Sequence, residues 1–503
     1  MRTRYFLKGK QLIIVLLTGV LGFSGCNKFL DINQNPNNPD EAEPGLLLPT
    51  VEAALGQVVG NQFQVYGGIW SQYWTQNVSA SQYTTLEQYN INTTASNTAW
   101  RILYRSALNN AQLIINDNET VSAEYYKAIA YILKAYGAQL ATDAFGDVPL
   151  SEALNAGDYG APHYDPQEVV YDSIFSYIDK GIALAKTDDA VDPGAQDMIF
   201  QGDMAKWIAF ANTLKLRAYL RLSEVKPDVA SSGIQALYDS GAEFLSADAM
   251  IEYSTVGGNE NPLYNEMAGL GYTQNLVASE TAVSRFEYNN DPRLLKLYDP
   301  LVEGSDVITD LPQGAYNNPD YTGKLYSTPS PLVGADANDA QSAVAPVKFI
   351  SAAESYFLQA EAVARGWGSG DNNGKTLFER GIKESFLALG LTEDEAKSYI
   401  DNINKKTEEE ADKTFDKEPI EAIITQKYYA MTGFQGFEAW TEWRRTGFPK
   451  FLVISEGSTL GADRWPLRLP YANSEVTSNG SFPGVVPIYE KVWWGKTIEK
   501  DAE

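Results

Sequence analysis

The chain has 503 residues, 44% of them hydrophobic and 21% charged, the composition of a globular protein with material for a large core. A formal net charge of −26 leaves no basic footprint for a phosphate backbone, so no nucleic-acid partner is expected. With one histidine and one cysteine, a histidine-rich zinc site, an intramolecular disulfide and any cysteine nucleophile other than Cys26 are excluded.

Residues 1–26, MRTRYFLKGKQLIIVLLTGVLGFSGC, begin with a basic head (Arg2, Arg4, Lys8, Lys10). An apolar run from Leu12 to Leu21 comes next, broken by Thr18 and Gly19, and Ser24 and Gly25 precede Cys26. This is the tripartite layout of a secretory signal, and the run falls short of the about 20 apolar residues that span a bilayer. Cys26 is either an ordinary residue near a signal-peptidase site or the lipid-bearing first residue of the mature chain. The surrounding pattern resembles a lipobox, with Phe23 where an aliphatic residue is commoner, and favours lipidation. Acylated, Cys26 would anchor the chain to a membrane without spanning it. The expected organisation is a signal peptide over 1–25, an Asn/Pro/Asp-rich tether over 26–45 and a single domain over 46–503.

From Leu46 the pattern is helical to about Phe63. The next stretch, to Trp100, mixes Trp and Tyr with Gln, Asn, Ser and Thr and carries almost no charge, which suits a binding surface better than a core. Helical periodicity returns over 99–118 and over 122–154, where Ser122 is the expected N-cap and aromatic and small residues alternate at Tyr125, Ile129, Ile132 and Tyr136. Further helices are expected from Pro166 to about Ala185, over Asp203–Glu224, and within 227–246. Residues 255–345 lose periodicity and are punctuated by Gly, Asn, Pro and Tyr, with one helix at about 277–287. A stretch this long without regular structure is functional or disordered, and its tyrosines argue against disorder. Helices resume over 349–367, 376–390, 392–403, 416–431 and 434–449.

Candidate chemistry is sparse. His163, in PHYDP, reads as a turn residue entering a helix. Two carboxylate pairs, Glu354 with Glu361 and Glu438 with Glu442, have the spacing of one helix face and could form a glycosidase acid pair, but also suit ion pairing between helices, the more so beside Arg444 and Arg445. Asp143 and Asp147 read as helix-exit and turn residues. The acidic turn 188–197 is a weak calcium candidate, and no other cofactor or metal site is expected.

Several segments, in order, resemble the SusD/RagB-like outer-membrane lipoproteins: FLDINQNPNNP, AWRILYRSALNNAQLII, YILKAYGAQLATDAFGDVPLSEAL, DMIFQGDMAKWIAFANTLKLRAYLR, AESYFLQAEAVARGW and ITQKYYAMTGFQGFEAWTEWRRTGFP. The resemblance implies an all-α fold, with four tetratricopeptide-like helix pairs as scaffold and irregular loops forming the ligand surface. It implies a non-catalytic protein facing the cell exterior. Its partners would be an oligosaccharide or peptide ligand, the outer membrane through the lipid, and a SusC-like TonB-dependent transporter. A surface glycoside hydrolase using a carboxylate pair is the alternative. The family has no fixed binding motif. Composition points to Trp70, Trp74, Asn77, Tyr83, Tyr89, Tyr272, Tyr316 and Tyr321 as ligand-contacting residues, each equally suited to packing, and Trp70 and Trp74 most suited to the core.

Overall fold

Small residues decide how closely the helices of this chain approach. The computed structural model describes residues 43–155, 159–405, 413–461 and 463–498, so the signal sequence, Cys26 and most of the tether lie outside the described residues. Helix α1 (Pro44–Gln57) passes through a π-helical turn, Val58–Gln62, into α2 (Phe63–Trp70). Strand β1 (Trp74–Gln76) and the short α3 (Thr84–Glu87) come next. Then α4 (Asn97–Arg101) passes through a second π-helical stretch, Ile102–Leu108, into α5 (Asn109–Asn116).

The scaffold is a succession of packed helix pairs. Helix α6 (Glu124–Phe145) lies against α5 and α7 (Gln167–Ala185), and α7 against α8 (Met204–Arg221), which packs on α9 (Pro227–Asp239). Gly181 makes the α6–α7 contact possible, since a Cβ there would sit 2.6 Å from the Ile132 side chain. Asp203 caps α8 by accepting from the Lys206 amide, and Pro227 opens α9.

The chain then enters the irregular region, which holds β2 (Ala249–Ile251), α10 (Pro262–Gly269), β3 (Leu276–Ala278), α11 (Glu280–Tyr288), α12 (Leu294–Leu297), β4 (Tyr298–Asp299) and β5 (Thr328–Pro329). After β6 (Val347–Ile350) the helix pairs resume with α13 (Ala352–Ala364), α14 (Lys375–Leu387), α15 (Glu393–Ile403), α16 (Pro419–Met431) and α17 (Gly436–Thr446), and α18 (Asn473–Ser478) closes the set. The fold is therefore all-α with a tetratricopeptide-like scaffold. Among the described residues the strands form two-stranded pairs, β1 with β3, β2 with β6 and β4 with β5.

Two local expectations are corrected. Ser122 is not the N-cap of α6: it adopts a left-handed φ of 58° within a turn, and Ala123 takes the cap position. The helix also stops at Phe145 rather than Leu154, because Gly146 turns the chain at φ 82° and Val148 then pairs with Asp165.

A charged seam runs through the scaffold. Arg217 and Arg221 from α8, Lys427 from α16, and Arg444 and Arg445 from α17 are buried with Asp143, Glu354, Glu361, Glu438 and Glu442. Arg445 clamps Glu361 with two bonds of 2.7 Å and reaches Glu442 at 2.6 Å. Arg221 binds Glu438 at 2.6 Å, Asp143 at 3.3 Å and also Glu442. Every one of these charges except Arg444 pairs with an opposite one in a low-dielectric setting, where an unpaired charge is costly, and Arg444 instead donates to the Asp143 and Leu467 carbonyls and to the Thr441 hydroxyl.

Helix α2 is fixed to α17 backbone against backbone. A Cβ on Gly67 would fall 2.1 Å from the Gly436 carbonyl carbon, and Phe63 stacks on Phe437 at 4.3 Å. This contact sets where the polypeptide leaves α2 and enters the loop face.

Candidate functional site

Three sequence-distant segments meet just beyond α2. The β1–β3 ladder pairs Trp74 with Ala278, Thr75 with Val277 and Gln76 with Leu276. The ladder is extended by the Asn77 amide, which donates to the Asn275 carbonyl at 2.7 Å, and by the Asn77 side chain, which donates to the Gln274 carbonyl at 2.8 Å. Beneath it Glu87 is fully buried and accepts from Thr75 (2.7 Å), the Gln76 amide (2.9 Å), Gln313 (3.0 Å) and Ser455 (3.3 Å). No cation contributes to this set. Burial pushes the Glu87 carboxyl up to about 7 against the pull of those donors.

Next to this junction is a cavity of about 240 Å³. Its back wall comes from both π-helical stretches: Val58, Asn61 and Gln62 from the first and Ile102 from the second. The i→i+5 bonding of a π turn inserts an extra residue and rotates the rest of the helix, a feature found often at functional sites. Gln62 is held by accepting from the Ala99 amide at 2.9 Å and donating to the Tyr66 hydroxyl at 3.0 Å, and Tyr66 donates to the Ala95 carbonyl at 3.1 Å. On the opposite side Tyr83 donates to Glu266 of α10 at 2.8 Å. Burial, followed by the Glu266 charge, holds the Tyr83 phenol far above its ordinary range, so it remains a donor. The lining has side-chain amides, hydroxyls and apolar groups, a single carboxylate and no Lys, Arg or His.

The eight residues singled out by composition separate on this map. Trp70 and Trp74 are core: Trp70 packs on Trp440 at 4.8 Å and donates to the Leu86 carbonyl, and Trp74, fully buried, lies against Gly68. Tyr89 is buried with its hydroxyl accepting from the Ser455 amide at 3.1 Å, and Tyr316 is buried with its hydroxyl accepting from Gln88 at 2.8 Å. Tyr321 is half-buried against the cluster of Val277, Leu311, Ala315 and Tyr326, with Lys324 over its ring at 5.6 Å. Asn77 ties loops together. Tyr83 lines the cavity. Tyr272 is 51% exposed and tilts 56° from Tyr264, with centroids 6.2 Å apart. Gln57, Asn61, Gln62 and Glu266 escaped composition. The signal for the first three was present, as amides at four- and five-residue spacing on an otherwise apolar helix.

The other candidate groups are engaged elsewhere. Both carboxylate pairs, Glu354 with Glu361 and Glu438 with Glu442, belong to the charged seam. Asp143 accepts from Tyr171 and Trp494 within it, and Asp147 accepts from the Gln167 amide at the start of α7. His163 is exposed in its turn, 2.9 Å from Glu152. In the 188–197 turn the Asp197 carboxylate accepts from the amides of Ile199, Phe200 and Gly202 and from Trp207. Among the described residues no group of three or more His, Cys, Asp or Glu could hold a metal ion, and no helix is long and apolar enough to cross a membrane.

Comparison with known proteins bears on both fold and family. No curated protein sequence matches the chain. Among solved structures, a SusD homologue from Bacteroides vulgatus is 26% identical with a TM-score of 0.70, covering 86% of this chain and 92% of its own. A SusD/RagB family protein from Bacteroides thetaiotaomicron is 23% identical with a TM-score of 0.74, covering 91% of this chain and 100% of its own. A chitin-binding SusD homologue from Flavobacterium johnsoniae is 22% identical with a TM-score of 0.72, covering 90% and 97%. Residues 36–472 match the family model described as SusD-like, starch-binding associating with outer membrane. The chain belongs to this SusD-like family.

Proposed function

We propose that the protein is a cell-surface nutrient-binding lipoprotein. It captures oligosaccharides on its loop face and hands them to a SusC-like TonB-dependent transporter, while lipid on Cys26 holds it to the outer membrane. The observation that carries this reading is the cavity beside the β1–β3 ladder, whose uncharged amides and hydroxyls over apolar walls match the alternating hydroxyls and C–H faces of a sugar. Family membership supports it, as does the chitin-binding relative of the same fold. Asn77, Tyr83, Tyr272 and Tyr321 are the composition-selected residues best placed to serve ligand or loop geometry, while Trp70, Trp74, Tyr89 and Tyr316 support from beneath. The protein needs no cofactor for this role and carries out no catalytic step.

Isothermal titration with a panel of neutral oligosaccharides tests the reading, with micromolar to millimolar binding expected for at least one. Silence across the panel, with binding of peptides instead, would overturn the glycan assignment. Cys26→Ala should move the protein from the membrane to the soluble fraction, and a variant that stays with the membrane would sink the anchor.

A further inference from the structure

The size and closure of the cavity say how a glycan would enter. At about 240 Å³ it is smaller than the roughly 300–1,000 Å³ pockets that enclose drug-sized ligands, and it suits a single pyranose ring of about a dozen heavy atoms. Its floor is sealed by buried Val58, Val65, Leu86 and Ala99. Its mouth is polar, with Gln82, Thr85 and Thr98 exposed and Gln57 half-buried. Among the described residues these four side chains make no hydrogen bond to protein, which leaves them for a ligand. With buried residues closing one side and room for about one ring, the cavity suits the end of a chain, which brings a single flanking sugar to the mouth.

Among the described residues the exposed large aromatic rings are Tyr159, Tyr272 and Tyr288. None of the ten tryptophans is exposed. The exposed ring of Tyr272 meets Tyr264 at 56°, so the two cannot present one flat face to consecutive sugars. The absence of any cation in the lining, together with Glu266, disfavours uronic or sulfated sugars by uncompensated like charge.

We infer that this cavity recognises the terminal residue of a neutral glycan end-on, taking one ring into the pocket and leaving the rest of the chain in solvent. The inference rests on the glycan-binding reading above and adds the mode and the charge class. Glu266 and the Asn61 carbonyl oxygen would accept from ring hydroxyls, and the Gln57 and Gln82 amides would donate to them.

The test is calorimetry with the full-length protein and maltose-type and N-acetylglucosamine oligomers of one to six units, each also prepared with its reducing end reduced or its non-reducing end capped. End-on capture predicts that affinity levels off by two or three units, changing less than about twofold beyond. It predicts that modification of one end, and only one, weakens binding tenfold or more. Oligogalacturonates should bind at least tenfold more weakly than neutral oligomers of equal length. Gln57→Leu and Thr98→Val should each weaken all lengths by the same factor, about fivefold, with circular dichroism and melting temperature confirming that the variants fold. Affinity that keeps rising to six units, or indifference to both end modifications, would overturn end-on capture while leaving glycan binding intact. Absence of binding by every neutral oligomer would overturn both.

Discussion

The helical seam and the loop face surround their buried carboxylates with different partners, cations in the seam and neutral donors on the loop face. In the seam, Glu361 and Glu442 are held by Arg445, with Arg221, Arg365 and Lys427 close by, and these cations hold both carboxyls below the ordinary range, while for Asp143 and Glu354 in the same seam burial outweighs the nearby cations and both carboxyls rise. On the loop face, Glu87 is as deeply buried and meets only hydroxyls and amides, so burial wins and its carboxyl rises. Asp299 and Asp310 are likewise pushed up to about 6 by burial and neighbouring acids. The scaffold is built with paired charge and the binding face with neutral donors. A neutral-donor network suits a surface that must accept an uncharged ligand, since it adds no cation that would favour anions over polyols.

The largest test of the contrast is removal of one cation from the seam. Arg445→Met leaves Glu361 and Glu442 short of their main partner in a dry interior. A loss of about 3–5 kcal/mol is expected, measured by urea denaturation. A loss below about 1 kcal/mol would mean the seam is hydrated and its charges are not acting as a structural unit.

The pH response sharpens the contrast. Glu87 ordinarily titrates at 4.5 and in the fold at about 7, so the folded state favours its protonated form. The stability this contributes is fully present below about pH 4.5 and is lost as pH rises through 7, on the order of 3 kcal/mol in all. Asp299 and Asp310 act with the same sign. Glu361 and Glu442 act with the opposite sign, and their contribution is lost only as pH falls below the ordinary carboxylate range. The urea midpoint should therefore decline from pH 5 to 8 in the native protein. In Glu87→Gln, whose amide oxygen can still accept from Thr75 and Gln76, the slope should flatten. An unchanged slope would move the effect to other groups.

Much of this contrast is legible in the chain and part is not. Helix positions follow from periodicity, and the run FQGFEAWTEWRRTGFP by itself places Arg444 and Arg445 beside Glu438 and Glu442. Burial of Trp70, Trp74, Tyr89 and Tyr316 is not legible, because a Trp or Tyr in a Gln/Asn-rich segment has the same sequence signature whether its ring faces solvent or α17. The cavity is also hidden. Its walls come from residues between 57 and 66, 82 and 102, and from Glu266, segments far apart in sequence, and two of them are shaped by π turns. Glu87 sits in the polar stretch TTLEQYN, where nothing announces that Gln313 and Ser455, more than 200 residues away, would donate to it.

The smallest effect belongs to the cavity rim. Tyr83→Phe removes the 2.8 Å bond to Glu266 and nothing else. Glu266 is half-buried at the pocket edge, so its freed oxygen can take a water instead of remaining orphaned. The expected loss is therefore about 1 kcal/mol or less, well below that of Arg445→Met, although each change deletes a hydrogen bond to a carboxylate. The phenyl ring still fills the wall, so glycan affinity should fall only as far as Tyr83 orients Glu266 toward the ligand. If urea denaturation instead gave Tyr83→Phe a loss comparable to that of Arg445→Met, the loop face would be as closed to water as the seam. A pocket closed to water could not admit a sugar either.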